Sequence, residues 1–254
     1  MQAVTVRNVT IGDGIPKICV PIVAGTKQEI LADARKVMGS KADIVEWRAD
    51  WFSSVFDTAL VAEVLRELTC VLGNIPLLFT VRTANEGGNF AVNSALYAKI
   101  NRAAAETGLP DLVDVEVFSA GESTKEIIDS IHAAGAKVIG SHHRFDKTPP
   151  TQEILDRLRK IQDSGADICK IAVTPHSKTD VLRLLEATVT MVETYADRPV
   201  AAISMTKLGV ASRLLGEWFG SALTFGTVEK ASAPGQIDSE ELFRIMQDFH
   251  RLIE

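Results

Sequence analysis

Lys170 stands in the middle of the run DICKIAV (167–173), an apolar, β-branched stretch of the kind that sits inside a sheet. A lysine is almost never fully buried unless something pairs with it or uses it. Two readings compete. The stem can lie along apolar surface while the ammonium snorkels to the water at the end of the strand. Alternatively, a lysine in a partly dry site beside other cations gives up its proton, and the free amine attacks a ketone or aldehyde to form a Schiff base. The protonated imine is an electron sink, so the carbon next to it becomes acidic and a nearby base can take a proton there. His143 suits that task, because imidazole titrates near neutral pH. Glu86 can orient the ring and stabilise its charged form, and Arg48, Arg82 and Arg213 can hold a carboxylate and hydroxyls. This is proton abstraction without a cofactor. Spacing alone does not specify the substrate.

Residues this far apart need a scaffold that gathers them. Eight apolar, β-rich runs recur along the chain: ICVPIVA (18–24), ADIVEWRAD (42–50), PLLFTVRT (76–83), LVDVEVF (112–118), KVIGSHHRF (137–145), ADICKIAVTP (166–175), PVAAISMT (199–206) and SALTFGT (221–227). Between them lie segments with helical spacing, such as Ile30, Leu31, Ala34, Val37 and Met38, or Ile154, Leu155, Leu158 and Ile161. The last is marked by Leu242, Met246, Phe249 and Ile253. Thr26 with Glu29, and Ser123 with Glu126, have the spacing of capping boxes at helix starts. Eight alternating strand–helix units without a long linker predict an α/β fold, a single-domain (β/α)8 TIM barrel over residues 1–254. The opening VTVRNVTIGDG is expected to form a short hairpin that closes the barrel floor. An open doubly wound sheet is the competing architecture. It would show a glycine-rich turn after an early strand, and AGTKQE has one glycine.

In such a barrel the active site lies at the C-terminal ends of the strands. The ionisable residues there are Glu46 and Arg48 on the second strand, Arg82 with Glu86 on the third, His142, His143 and Arg144 on the fifth, and Lys170 on the sixth. Arg213 follows the seventh strand, and KASAPGQI (230–237), with Ser232 and Gln236, follows the eighth. Any one of these is equally well explained as a solvated loop charge. Glu46 and Arg48 are two apart and share a face, whereas the adjacent His142 and His143 point to opposite faces, so only one of them enters the barrel. That weakens a metal-ligand reading of the pair, and there is no HExxH motif or Cys/His cluster to complete one. His132 and His250 read as surface residues; His176 follows Pro175 in a loop that can lie near the site.

Composition bounds the classes. The 254 residues are 46% hydrophobic, ample for a large core. A formal net charge of -6 argues against nucleic acid as a partner. It does not exclude a small anionic substrate, because a few arginines dominate the field inside a cleft. Cys19, Cys70 and Cys169 are scattered, odd in number and form no CxxC pair, which argues against a disulfide framework or zinc knuckle. The N-terminal MQAVTVRNVTIGDG lacks a basic-then-apolar signal layout, and no apolar run is long enough to span a bilayer. A soluble, cytoplasmic protein with no membrane partner is expected.

The segments EWRAD, FTVRTANEGG, DICKIAV, GVASRLLGEWFGSALTFG and KASAPGQI resemble those of type I 3-dehydroquinate dehydratases, and the resemblance runs over nearly the whole chain. It implies a shikimate-pathway lyase that converts 3-dehydroquinate to 3-dehydroshikimate by syn elimination of water. On that pattern Lys170 matches the Schiff-base lysine that attacks the C3 ketone. His143 matches the histidine that takes a C2 proton and helps the C1 hydroxyl leave, and Glu86 its carboxylate partner. Arg213 matches the carboxylate-gripping arginine. Glu46, Arg48 and Arg82 match ring-hydroxyl and site-ordering residues, Met205 an apolar wall residue, and Ser232 and Gln236 the loop that closes over substrate. The resemblance also implies a cofactor-free homodimer. The chain departs from the pattern beside His143: Arg144 stands where many relatives carry an aspartate, and His142 where a smaller polar residue or tyrosine is common. The alternatives are an aldolase-type Schiff-base barrel, which would want a phosphate site that SAPGQ scarcely offers, and a non-catalytic binding protein on a barrel scaffold.

Overall fold

Strands of this chain wrap side by side around one axis. The computed structural model describes residues 2–229 and 231–253. β1 (Val4–Val6) and β2 (Val9–Ile11) form an antiparallel hairpin. Then come β3 (Lys17–Ile22), β4 (Ile44–Arg48), β5 (Leu77–Thr80), β6 (Leu112–Glu116), β7 (Lys137–Arg144), β8 (Ile168–Val173), β9 (Val200–Ser204) and β10 (Leu223–Thr227). From β3 to β9 each pairs in parallel with the next, and β10 pairs in parallel with β3. The ring closes between β9 and β10, where the Ala222 N–H donates to Val200 O at 2.7 Å. A two-residue β11 (Ile237–Asp238) pairs with the end of β10. Each of the eight expected runs holds one barrel strand, so the barrel reading stands and the doubly wound sheet does not.

Helices α1 (Lys27–Val37), α2 (Thr58–Leu72), α3 (Ser94–Glu106), α4 (Thr124–Ala133), α5 (Thr151–Asp163) and α6 (Lys178–Thr190) fill the crossovers. The short α7 (Val210–Leu214) and α8 (Gly216–Phe219) and the closing α9 (Ser239–Ile253) complete the outer ring. The Thr26–Glu29 capping box forms as expected, satisfying otherwise orphaned N–H groups at the start of α1. The Ser123–Glu126 box does not. Ser123 is already in helical conformation at the end of a 3-10 turn and makes no capping hydrogen bond, and Glu126 instead accepts from Arg102 at 3.1 Å. A capping box does form at Ser177–Asp180, ahead of α6.

Side chains alternate along each strand, so the barrel has two cores. The outward set, including Val20, Val45, Phe79, Val113, Val138 and Ile171, packs against the apolar stripes of the helices, such as Ile30, Leu65, Ile127, Leu158 and Leu184. The inward set at the strand starts is Cys19, Ile44, Leu78, Leu112, Ile139, Ile168, Ala201 and Leu223. Val6, Val9 and Ile11 of the hairpin pack onto this second cluster, and Ile11 is fully buried. Burying one such side chain is worth about 1.5–3 kcal/mol, which seats the hairpin across the floor as expected. Arg7 fastens it further through Asp111 at 2.7 Å. Among the described residues no helix is long and apolar enough to cross a membrane.

Candidate active site

Two residues beyond the floor layer the barrel interior changes character. Ile44, Leu78, Leu112, Ile139 and Ile168 give way to Glu46, Thr80, Asp114, Ser141 and Lys170, all buried. Another two residues on are Arg48, Arg82, Glu116 and His143. Above them opens a pocket lined by all ten residues expected at the site: Glu46, Arg48, Arg82, Glu86, His143, Lys170, Met205, Arg213, Ser232 and Gln236. Gly87, Phe145, Ala172, Ile203, Phe225 and Ala233 complete the wall.

Lys170 does not snorkel. Only 4% of its side chain is exposed, and Nζ donates to Asp114 Oδ2 at 3.2 Å while lying 4.5 Å from the centroid of the Phe225 ring. Its strand neighbours Cys169 and Ile171 point the other way, into the outer core. The surroundings expected for this lysine were other cations, and the structure adds a carboxylate in direct contact. Burial disfavours the Asp114 anion, but the charges of Arg82 and Lys170 outweigh it and hold the carboxyl well below its usual range. Ser141 Oγ also donates to Asp114, at 2.6 Å.

The three arginines divide their work differently from the grouping read in the sequence. Arg82 is spent on the scaffold: its guanidinium lies 2.9 Å from Asp114, 3.0 Å from Glu116 and 3.0 Å from Ser141 Oγ. Arg48 makes two 2.7 Å bonds to Asp50, a planar fork-on-fork pair. Arg213, from α7, reaches only the carbonyls of Phe225 and Pro234, each at 3.2 Å, and pairs with no carboxylate among the described residues. Its Nε has no partner, and burial pulls its pKa down to about 10. A buried cation without a counter-ion is a vacancy for an anion.

His143 and Glu86 form the second chemical feature. Glu86 Oε2 accepts from both the His143 backbone N–H and Nδ1, each at 2.9 Å. Burial opposes the Glu86 anion, but hydrogen bonds from His142 and His143 and the charge of Arg82 overcome it, bringing the pKa to about 2. An ionised Glu86 only accepts, so the His143 ring proton sits on Nδ1 and the Nε2 lone pair is bare. Burial, and then Arg82, push the His143 pKa down to about 3, so the ring is neutral around pH 7. The turn that delivers Glu86 requires glycine: a Cβ on Gly88 would sit 1.8 Å from Arg82 O. His142, on the opposite strand face as parity predicts, packs tilted against Phe118 with ring centroids 4.6 Å apart, yet its Nδ1 also reaches Glu86, at 3.3 Å.

The loop over the cavity is docked. Ser232 N–H donates to Gln236 Oε1 at 2.8 Å, and Gln236 Nε2 donates to Ser232 Oγ at 3.0 Å. Pro234 O accepts from the Thr206 N–H at 3.0 Å as well as from Arg213. Gly235 lies so close that a Cβ there would be 2.2 Å from Thr206 O. Thr206 itself has φ 61° and ψ 173°, a strained conformation for a side-chain-bearing residue, next to the wall residue Met205. Lys230, where the KASAPGQI segment begins, lies outside the described residues.

The family model for type I 3-dehydroquinase matches residues 18–252. The chain belongs to the type I 3-dehydroquinase family. It is 48% identical over 250 residues to the 3-dehydroquinate dehydratase of Bacillus licheniformis, covering 98% of each chain. It is 47% identical over 252 residues to that of Clostridioides difficile, covering 99% of each. A structure of type I 3-dehydroquinate dehydratase from Clostridium difficile, solved with covalently modified comenic acid, superposes with a TM-score of 0.96 over 99% of both chains. A Geobacillus kaustophilus 3-dehydroquinate dehydratase, 35% identical, also gives 0.96, over 100% of this chain and 98% of its own.

Sequence reasoning overlooked several members of this 3-dehydroquinase site: Asp50, Asp114, Glu116, Ser141 and Phe225. For Asp114 and Glu116 a signal was present. They stand two apart in the apolar run LVDVEVF, the same-face spacing that singled out Glu46 and Arg48. Phe225 carries no such signal, because an aromatic in a barrel strand reads as core. His176 does not line the cavity and instead bonds Asp146 O at 2.7 Å. His132 pairs with Asp167 on the outside, and His250 is partly tucked against Glu217 rather than free on the surface.

Proposed function

We propose that this chain dehydrates 3-dehydroquinate to 3-dehydroshikimate by a syn elimination through a Schiff base on Lys170, within the shikimate pathway. The observation that carries the reading is the meeting, in one cavity, of a buried lysine amine, a neutral histidine with a bare Nε2 and an arginine without a counter-ion. Arg213 takes the substrate carboxylate. Glu46 and Arg48, with Ser232 and Gln236 of the loop, take the ring hydroxyls. Lys170 Nζ attacks the C3 carbonyl carbon. The carbinolamine loses the carbonyl oxygen as water, that oxygen taking up the proton the lysine ammonium gave up before attacking, and leaves a protonated imine. His143 Nε2 then removes a C2 proton, and the C2–H electron pair moves into an enamine. As the C1–O bond breaks, the same histidine returns that proton to the departing hydroxyl, giving the net water. A second water hydrolyses the imine, releasing ketone and free lysine, so one water is lost overall. Arg82 and Asp114 order the site rather than grip substrate.

The same reading takes residues 1–254 as one catalytic domain of a cofactor-free, cytoplasmic homodimer. Borohydride trapping with 3-dehydroquinate, read by peptide mass spectrometry, tests the mechanism. A ligand-sized gain on the Lys170 peptide, absent in Lys170→Ala, is the expected result. Protein that dehydrates the substrate yet forms no adduct overturns the imine.

A further inference from the structure

We infer that His142, outside the barrel, is a positioning residue that locks the Glu86 carboxylate and through it the tautomer of His143. The inference rests on the reading of His143 as the base. Glu86 has two oxygens, and only Oε2 serves His143. If the carboxylate rotates, that oxygen leaves the ring. Oε1 is held by two groups that do not face the substrate: Ser119 Oγ at 3.1 Å and His142 Nδ1 at 3.3 Å.

The direction of the His142 bond is fixed from behind. Arg157 Nη1 lies 2.9 Å from His142 Nε2. A guanidinium only donates, so Nε2 accepts, the ring proton sits on Nδ1, and Nδ1 donates to Glu86. Arg157 is itself held by Glu153 at 2.8 and 3.0 Å and lies 4.9 Å over the Phe118 ring, against which His142 packs. Arg144 joins the same network, 3.4 Å from Glu153 and doubly bonded to Asp146. His142 and Arg144, on either side of His143, therefore belong to one polar chain. It runs from α5 through the β7 strand end to the base. An outward-facing side chain reaches the site because Glu86 comes from the loop above the strand end, where it touches both faces.

His142→Phe keeps a ring against Phe118 but removes the donor; His142→Asn keeps a donor near the Nδ1 position. His142→Phe is expected to lower kcat about tenfold, the scale of one hydrogen bond to a charged group, with KM within about twofold. His142→Asn restores most of kcat. Long-range 1H–15N NMR of the free protein reads the His143 tautomer directly: Nδ1–H in the wild type, a mixture in His142→Phe. A wild-type kcat and tautomer in His142→Phe overturn the inference, as does an equal loss in His142→Asn, which would make ring packing the cause. Should His142→Phe not fold, Arg157→Leu on the outer face carries the test, and an unchanged tautomer and kcat there are equally fatal. Wild-type protein that does not dehydrate 3-dehydroquinate overturns the catalytic reading, while the tautomer readout still decides this inference.

Discussion

The floor and the mouth of the barrel are built by the same strands, two residues apart, and they follow opposite rules. The floor layer, from Cys19 to Leu223, is apolar and sealed by the hairpin. The layer above it buries Glu46, Asp114, Lys170 and, higher still, Arg82, Glu116 and Arg213. Apolar burial stabilises without direction, whereas each buried charge costs several kcal/mol unless a partner offsets it. Most charges at the mouth have that partner: Arg48 has Asp50, Arg82 has Asp114 and Glu116, and Lys170 has Asp114. Arg213, Glu46, whose carboxylate accepts from Thr80 and pairs with no cation among the described residues, and the Nε2 of His143 are left incomplete, and a bound substrate would complete them. The floor contributes the stability that lets the mouth stay unfinished.

Changes at the two ends should separate catalysis from folding. His143→Ala at the mouth is expected to cut kcat by about 10²–10⁴, the span of a lost general base, with substrate binding partly retained and the melting temperature little changed. Near-normal turnover would move the base elsewhere. Leu112→Ala at the floor should do the converse. It is expected to destabilise by about 2–5 kcal/mol in urea unfolding, through lost burial and a cavity, with kcat per folded molecule near wild type. Arg213→Leu should raise KM by roughly 10- to 100-fold, on the scale of a charge-assisted hydrogen bond, while costing little stability because the arginine has no carboxylate to strand. A large loss of stability would mean that its carbonyl contacts matter more than its charge.

The smallest effect is in the pH dependence of stability. His143 has an ordinary pKa of 6.5 and a folded value of about 3, and Glu86 goes from 4.5 to about 2. Between those values the unfolded chain holds more protons than the folded one, so stability rises with pH there and is lost on acidification. Glu116, whose pKa is raised chiefly by burial, works in the opposite direction above its ordinary value of 4.5. From pH 6.5 down to 5 the histidine dominates, with a slope of up to about 1.4 kcal/mol per pH unit. His143→Gln should flatten that segment in urea melts taken at pH 6.5 and 5. An unchanged slope would mean the ring binds as many protons in the native protein as in the unfolded chain.

Several of these features are legible in the linear chain. Repeated β-branched runs and amphipathic segments specify eight strand–helix units, because period and length alone decide which face of each can be buried. Strand parity puts Lys170 inside while Cys169 and Ile171 face out, and it separates His143 from His142. Local signals were less dependable where tertiary contacts compete: Ser123 and Glu126 have capping-box spacing, yet Arg102 takes the glutamate. Which arginine stays without a counter-ion could not be read from type or spacing. Arg48, Arg82 and Arg213 are chemically alike; Asp50 stands two residues from Arg48 along the chain, but only closure of the barrel brings Asp114 and Glu116 to Arg82 and neither to Arg213. Likewise the sequence named His143 and Glu86, but the loop above β5 decided that one carboxylate would touch both histidines. Pattern fixes what each strand buries because that depends on neighbours along the chain. Pairing of Arg82 and Lys170 depends on neighbours across it, and those exist only once the barrel has closed.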